Sequence, residues 1–222
     1  MDAATLGHNK DQREGCRRRE QAAAIWRSSV PISGTPAEAY LVSRGVPCHG
    51  EALRWHAACP FGGHRVGAMI ALVRNIRTNE PQAVHRTAID AAGRKLSHLG
   101  SNGRLCLGPV GSGAVKLTED AEATQVLAIG EGVETALSFR CLPGLDSMPV
   151  WSLLSANGIS SFPALAGLES VWIAADNDAS GTGQDAASEA AHRLHGAGIE
   201  TIIVTPRRTG SDLNDGACPD AA

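Results

Sequence analysis

No run in this sequence approaches the roughly 18 consecutive apolar residues that a membrane-spanning helix needs, so no segment is expected to cross a bilayer. Met1 to Glu20 is polar and lacks the apolar segment of a secretion signal, which makes a cytoplasmic protein the expectation. The six cysteines, Cys16, Cys48, Cys59, Cys106, Cys141 and Cys218, include no C-x-x-C pair, and this favours reduced thiols over a disulfide framework. Zinc is not expected either. Cys48, His49, His56, Cys59 and His64 lie close together but lack the two matched ligand pairs of a structural site, and the alternative is a buried Cys59 beside a loop. Tyr40 is the only tyrosine, nothing repeats internally, and only the alanine-rich tail is low in complexity. What is present is a chain of 222 residues, 43% hydrophobic and 19% charged, enough for one or two globular domains with a sizeable core.

The net charge of −3 conceals a division. Met1 to Lys116 carries 16 Lys and Arg against 8 Asp and Glu, whereas Leu117 to Ala222 carries 4 against 15. A basic half that could hold a polyanion is followed by an acidic half that could hold cations. Solvated surface on both halves is the plainer alternative.

Two stretches organise the acidic half. Val126 to Ile129 and Val171 to Ala174 are short apolar runs of the kind that form buried strands, and each releases carboxylates where the apolar pattern stops: Glu131 after the first, Asp176 and Asp178 after the second. In an open α/β sheet, ligands bind outside the carboxyl ends of the strands, so these three acids could converge. Three carboxylates with room for water suit Mg²⁺, which takes hard oxygen ligands and completes its shell with water and substrate phosphates. Glu134, three residues beyond Glu131, is expected to face solvent or to reach the cation through water.

At Glu131-Gly132 and Asp176-Asn177-Asp178 the sequence resembles the Toprim domain, the catalytic module of bacterial-type primases, topoisomerases and certain nucleases. Gly181, Ala186 and Ala187 fit the helix that follows the family's Asp-x-Asp. The resemblance implies a Rossmann-like, mostly parallel α/β sheet flanked by helices, with Mg²⁺ (or Mn²⁺) held by Glu131, Asp176 and Asp178. It also implies a further acidic motif at Asp212, where Asn214 stands in place of a second aspartate and would weaken any second metal on that side. Asp212 and Asp215 as solvated loop acids is the alternative.

The first half is similar to the subdomain that precedes Toprim in primases. Thr35 can cap a helix that opens with Pro36 and runs to Arg44 and Gly45, and Tyr40-Leu41 with Arg44-Gly45 resembles the opening of the primase polymerase core. Met69 to Arg74 and Ala83 to Ile89 read as a hairpin around Thr78 to Pro81, and Leu105 to Gly108 as a further short strand. By resemblance, Arg74, Arg86, Lys95 and Lys116 line a basic track for template and nucleotide phosphates; charges on the surface of a hairpin are the alternative. The spans expected are 1–36 (arm and helix), 37–117 (basic α+β subdomain) and 118–222 (Toprim domain).

The resemblance implies primer synthesis on single-stranded DNA from nucleoside triphosphates, by a stripped primase core of the type carried by phages and plasmids. It covers neither the zinc-binding domain nor the helicase module of larger primases, so any replicative helicase would be a separately encoded partner. A Toprim nuclease, or a non-catalytic nucleic-acid-binding accessory protein, are the other readings. The lone Tyr40 gives a topoisomerase no support.

Overall fold

The computed structural model describes residues 3–46, 50–177, 180–208, 210 and 213–214, with side chains from Gln12 onward. The chain divides into two compact units: residues 1–37 with 53–113, and residues 38–52 with 114–222. Residues 38–52 fall within the second unit.

The first unit is an antiparallel sheet with one long helix. Strand β1 (Val30–Pro31) pairs with β2 (Leu53–Phe61), β2 with β3 (His64–Asn75), β3 with β4 (Pro81–Ala88), and β4 with β5 (Arg104–Leu107), all antiparallel. The β3–β4 hairpin agrees with the sequence reading. Asn75 shapes its turn, its side-chain oxygen accepting from the Arg77 and Thr78 amides, and Asn79 adopts φ 59°. Helix α1 (Ala3–Arg27) lays Ala22 and Ile25 on Cys59, Ala68, Ile70, Leu72 and Val84. Cys59 is indeed buried, but in a strand rather than beside a loop.

The second unit is a mostly parallel sheet in the order β6 (Gly113–Lys116), β8 (Val150–Ser152), β7 (Val126–Gly130), β9 (Ser170–Ala174) and β10 (Glu200–Val204). Strands β8, β7, β9 and β10 are parallel and β6 runs antiparallel to β8. The apolar runs of β7, β8 and β9 are mostly buried, as strands of parallel sheets are, whereas β10 at the sheet edge leaves Ile203 exposed. Helix α3 (Val133–Ser138), extended by a 3₁₀ turn to Cys141, follows β7; α4 (Ala156–Ser160) follows β8; α5 (Thr182–Gly196) follows β9. Arg193 of α5 donates to the carbonyls of Phe162 and Ser160, fixing α5 to the end of α4.

Helix α2 (Pro36–Ser43) begins with Pro36 at its first position, as expected, but the Thr35 hydroxyl turns back to donate to the Ile32 carbonyl. The helix stops at Gly45, whose φ of 66° lets the Val46 amide reach the Leu41 carbonyl. No described helix is long and apolar enough to cross a membrane.

Candidate functional site

The order β8-β7-β9-β10 means that the chain leaves β7 for a neighbour on one side and then crosses to a neighbour on the other. In doubly wound sheets this reversal opens a crevice at the carboxyl ends of the two strands that part, and ligands bind there. Glu131 follows β7 directly and Asp176 comes two residues after β9. The register pairs Ile129 with Ile173, so Glu131 stands beside the Ala175–Asp176 step. Both acids are half-buried. The first turn of α5 closes on the same point: a Cβ built on Gly183 would lie 3.4 Å from Glu131 Oε1, 3.4 Å from the Asp176 amide nitrogen and 3.5 Å from the Asp176 carbonyl oxygen.

The main chain around Glu131 is held from β8. The Glu131 carbonyl accepts from Ser152 Oγ at 2.7 Å and from the Leu154 amide at 2.9 Å. Leu154 has a φ of 67°, a left-handed conformation that costs a non-glycine residue of order 1–3 kcal/mol and that collects at functional sites. On the other side, a Cβ at Gly132 would lie 3.1 Å from Thr135 Oγ1, a tight approach that glycine avoids where α3 starts beside Glu131.

Asn177, between the two aspartates, holds the neighbouring loops together. Its Nδ2 donates to the Pro206 carbonyl at 2.9 Å, its Oδ1 accepts from Gln184 of α5 at 3.0 Å, and its carbonyl accepts from the Gly210 amide at 2.6 Å. The strand end carrying Asp176, the start of α5 and the loop after β10 are thus tied at one residue. Sequence reasoning passed over Asn177; an amide set between two acids was the only signal available.

Asp178 and Asp212, named from the sequence as ligands, lie outside the described residues, as do Asp215, Cys48 and His49. Among the described residues no group of three His, Cys, Asp or Glu side chains could hold a metal ion. Glu131 and Asp176 stand at neighbouring strand ends, with the side-chain-free Gly183 leaving space between the Glu131 carboxylate and the Asp176 main chain. That donor set fits Mg²⁺ or Mn²⁺.

The other expectations meet different geometry. Glu134 does not face solvent: it is 3% exposed, and its Oε1 accepts from the Tyr40 hydroxyl at 2.5 Å. Asn214 is also buried, its amide nitrogen donating to the Arg44 carbonyl at 2.9 Å and to Ser138 Oγ at 3.3 Å, so its amide makes a structural tie. Arg86 is 6% exposed instead of lining an open track. Its guanidinium donates to the Pro60 carbonyl of β2 at 2.5 Å and to the Cys106 carbonyl of β5 at 3.2 Å and lies over the Phe61 ring. Lys116 is likewise buried, 2.6 Å from Asp120 and over the Trp151 ring. Arg74 is half-buried and donates to the Asn79 carbonyl at 3.1 Å; Lys95 is half-buried in a bridge with Ile89.

Residues 126–221 match the Toprim domain family, and residues 16–117 match a family described as a domain of unknown function, DUF7146. No curated protein matches the chain. Solved structures share the fold, among them two primases. The primase fragment of the bacteriophage T7 primase-helicase protein superposes with a TM-score of 0.53 at 14% identity, over 78% of this chain and 66% of that one. A DNA primase domain from Pseudomonas aeruginosa superposes with a TM-score of 0.55 at 13% identity, over 90% of this chain and 74% of that one. The strand order and these matches together show that residues 126–221 carry a Toprim domain and that the chain shares the fold of these two primase structures.

Proposed function

We propose that the protein is a primase-like nucleotidyltransferase that synthesises short primers on single-stranded DNA from nucleoside triphosphates. What supports this reading is that Glu131 and Asp176 follow adjacent parallel strands at their switch point, with Gly183 between the Glu131 carboxylate and the Asp176 main chain. Mg²⁺ or Mn²⁺ bound there would supply positive charge against the phosphoryl oxygens, held by Glu131 and Asp176 with Asp178 and Asp212 proposed as further ligands. Glu131, whose main chain is fixed by Ser152 and Leu154, either contributes to that site or takes the proton of the attacking hydroxyl.

The single-stranded template is assigned to the basic unit. With Arg86 turned inward, the exposed arginines there are Arg13, Arg17, Arg18, Arg19 and Arg27 of α1, together with Arg65, Arg77 and Arg94. Neutralising several phosphates at once is what such a surface does well. The likeness to a fragment of a primase-helicase supports a helicase as partner.

The test is purified protein with single-stranded DNA, labelled nucleoside triphosphates and Mg²⁺ or Mn²⁺, analysed for extension and for degradation. Extension that disappears on chelation supports the proposal. Degradation alone would assign the same acids to a nuclease, and binding without turnover would leave an accessory protein.

A further inference from the structure

We infer that Tyr40 and Glu134 are positioning residues for Glu131: the buried hydrogen bond between them fixes the first turn of α3, and through it the loop on which Glu131 is carried. The inference rests on the reading of Glu131 as part of a divalent-cation site. Glu134 lies one helical turn beyond Glu131 and is almost fully buried. A carboxyl group is not buried without a partner, and the tyrosine hydroxyl 2.5 Å away supplies one from a segment 94 residues distant in sequence. The same carboxylate reaches back over the loop: Glu134 Oε2 lies 3.6 Å, and Thr135 Oγ1 3.1 Å, from where a Cβ on Gly132 would stand. The side chains of the first turn therefore crowd the space beside Gly132, and the Ala136 amide ties the Gly132 carbonyl to the same turn at 3.0 Å.

Tyr40 is a fixed donor because α2 is itself anchored. Asn214 Nδ2 donates to the Arg44 carbonyl and to Ser138 Oγ, and Cys141 Sγ donates to the Gly45 carbonyl at 3.4 Å. Ser138 Oγ in turn donates to the Glu134 carbonyl at 2.9 Å, which returns the network to α3. With the Glu131 carbonyl gripped from β8, the loop is held on both sides. A ligand held this way is preorganised, and removing such outer partners weakens metal sites by about tenfold or more.

The test uses the full chain and Mn²⁺, with affinity read from the paramagnetic resonance of the free ion. Tyr40→Phe removes one oxygen and keeps the ring; Mn²⁺ affinity should fall about tenfold. Glu134→Gln keeps an acceptor for the hydroxyl and should stay within about twofold of wild type, whereas Glu134→Leu should match Tyr40→Phe. A lower melting temperature in Tyr40→Phe with unchanged Mn²⁺ affinity would mean that the pair only anchors α2, and the inference would be lost. Glu134→Gln as damaging as Glu134→Leu would also overturn it, since the charge itself would then be needed. Wild type that binds no Mn²⁺ overturns both this and the cation site, while binding abolished by Asp176→Asn but untouched by Tyr40→Phe overturns this alone. A measurement free of folding defects completes the test. Coupling is reciprocal, so Mn²⁺ binding to wild type must slow amide hydrogen exchange in α2, and unchanged exchange there refutes the coupling.

Discussion

Asn214 shows how much a single buried amide can carry. Its nitrogen joins the end of α2 to α3, and a carboxylate in its place could not donate to the Arg44 carbonyl. Asn214→Asp should therefore cost about 1–3 kcal/mol of stability at neutral pH. The deficit should shrink as pH falls through the pKa of the introduced acid, because the protonated form regains a donor; denaturant melts at two pH values read this directly. Cys59 makes a second residue-scale prediction. Burial pushes its thiol above the usual range, with the nearby Arg86 only partly opposing, so the thiol stays protonated and shielded well into alkaline pH. Native protein at pH 8 should be alkylated at the exposed Cys16 and spared at Cys59, with Cys59 labelled only after denaturation; rapid native labelling of Cys59 would contradict the packing of β2. Glu131 and Asp176 were legible in the sequence because an apolar run stops at each of them. Glu134, Asn177 and Asn214 were not, since what decides their roles is a partner from a distant segment.

Elements were legible in proportion to the regularity of their patterns. The buried strands of the parallel sheet and the long helix α5 declare themselves as apolar runs and helix formers, and Gly198, with φ 82°, marks the turn that follows α5. Strand β2 does not, because Leu53–Phe61 mixes Arg54, His56, Cys59 and Pro60 without alternation and its register shifts between His56 and Cys59. Pairing with β3 along its length makes it a strand. Helix α4 has five residues, too few for a period to show, and is set by Ser155, whose side chain accepts from the Gly158 amide. Gly158 gives the element-scale prediction. A Cβ there would lie 2.2 Å from the Leu153 carbonyl oxygen, which is backbone and cannot swing aside. Gly158→Ala should destabilise by about 1–3 kcal/mol and disturb the β8 turn that grips Glu131. Gly196→Ala, at the last position of α5 with nothing within 4 Å of the new methyl, should instead stabilise by about 0.5–1 kcal/mol. Urea denaturation of both variants checks the opposite signs.

At the scale of the whole molecule, the division of charge seen in the sequence becomes a division between compact units. The unit formed by residues 1–37 and 53–113 carries 14 Lys and Arg against 6 Asp and Glu, and the unit formed by 38–52 and 114–222 carries 6 against 17. Polyanion binding and cation binding should then be separable experimentally. Single-stranded DNA affinity should fall steeply with salt and be indifferent to chelators, because it depends on counterion release at exposed arginines. Replacing Arg13, Arg17 and Arg27 together by Gln should weaken binding and flatten the slope of log affinity against log salt by about 0.7 for each phosphate no longer neutralised. Asp176→Asn, in the other unit, should leave affinity and slope unchanged while abolishing both synthesis and stabilisation by Mg²⁺. The inward-facing Arg86 sharpens the contrast: Arg86→Gln should lower the melting temperature, because the Pro60 and Cys106 carbonyls lose their donors, yet leave the salt slope of the folded protein intact. If Arg86→Gln flattens that slope and the triple α1 variant does not, the template lies along the hairpin after all and the α1 assignment fails.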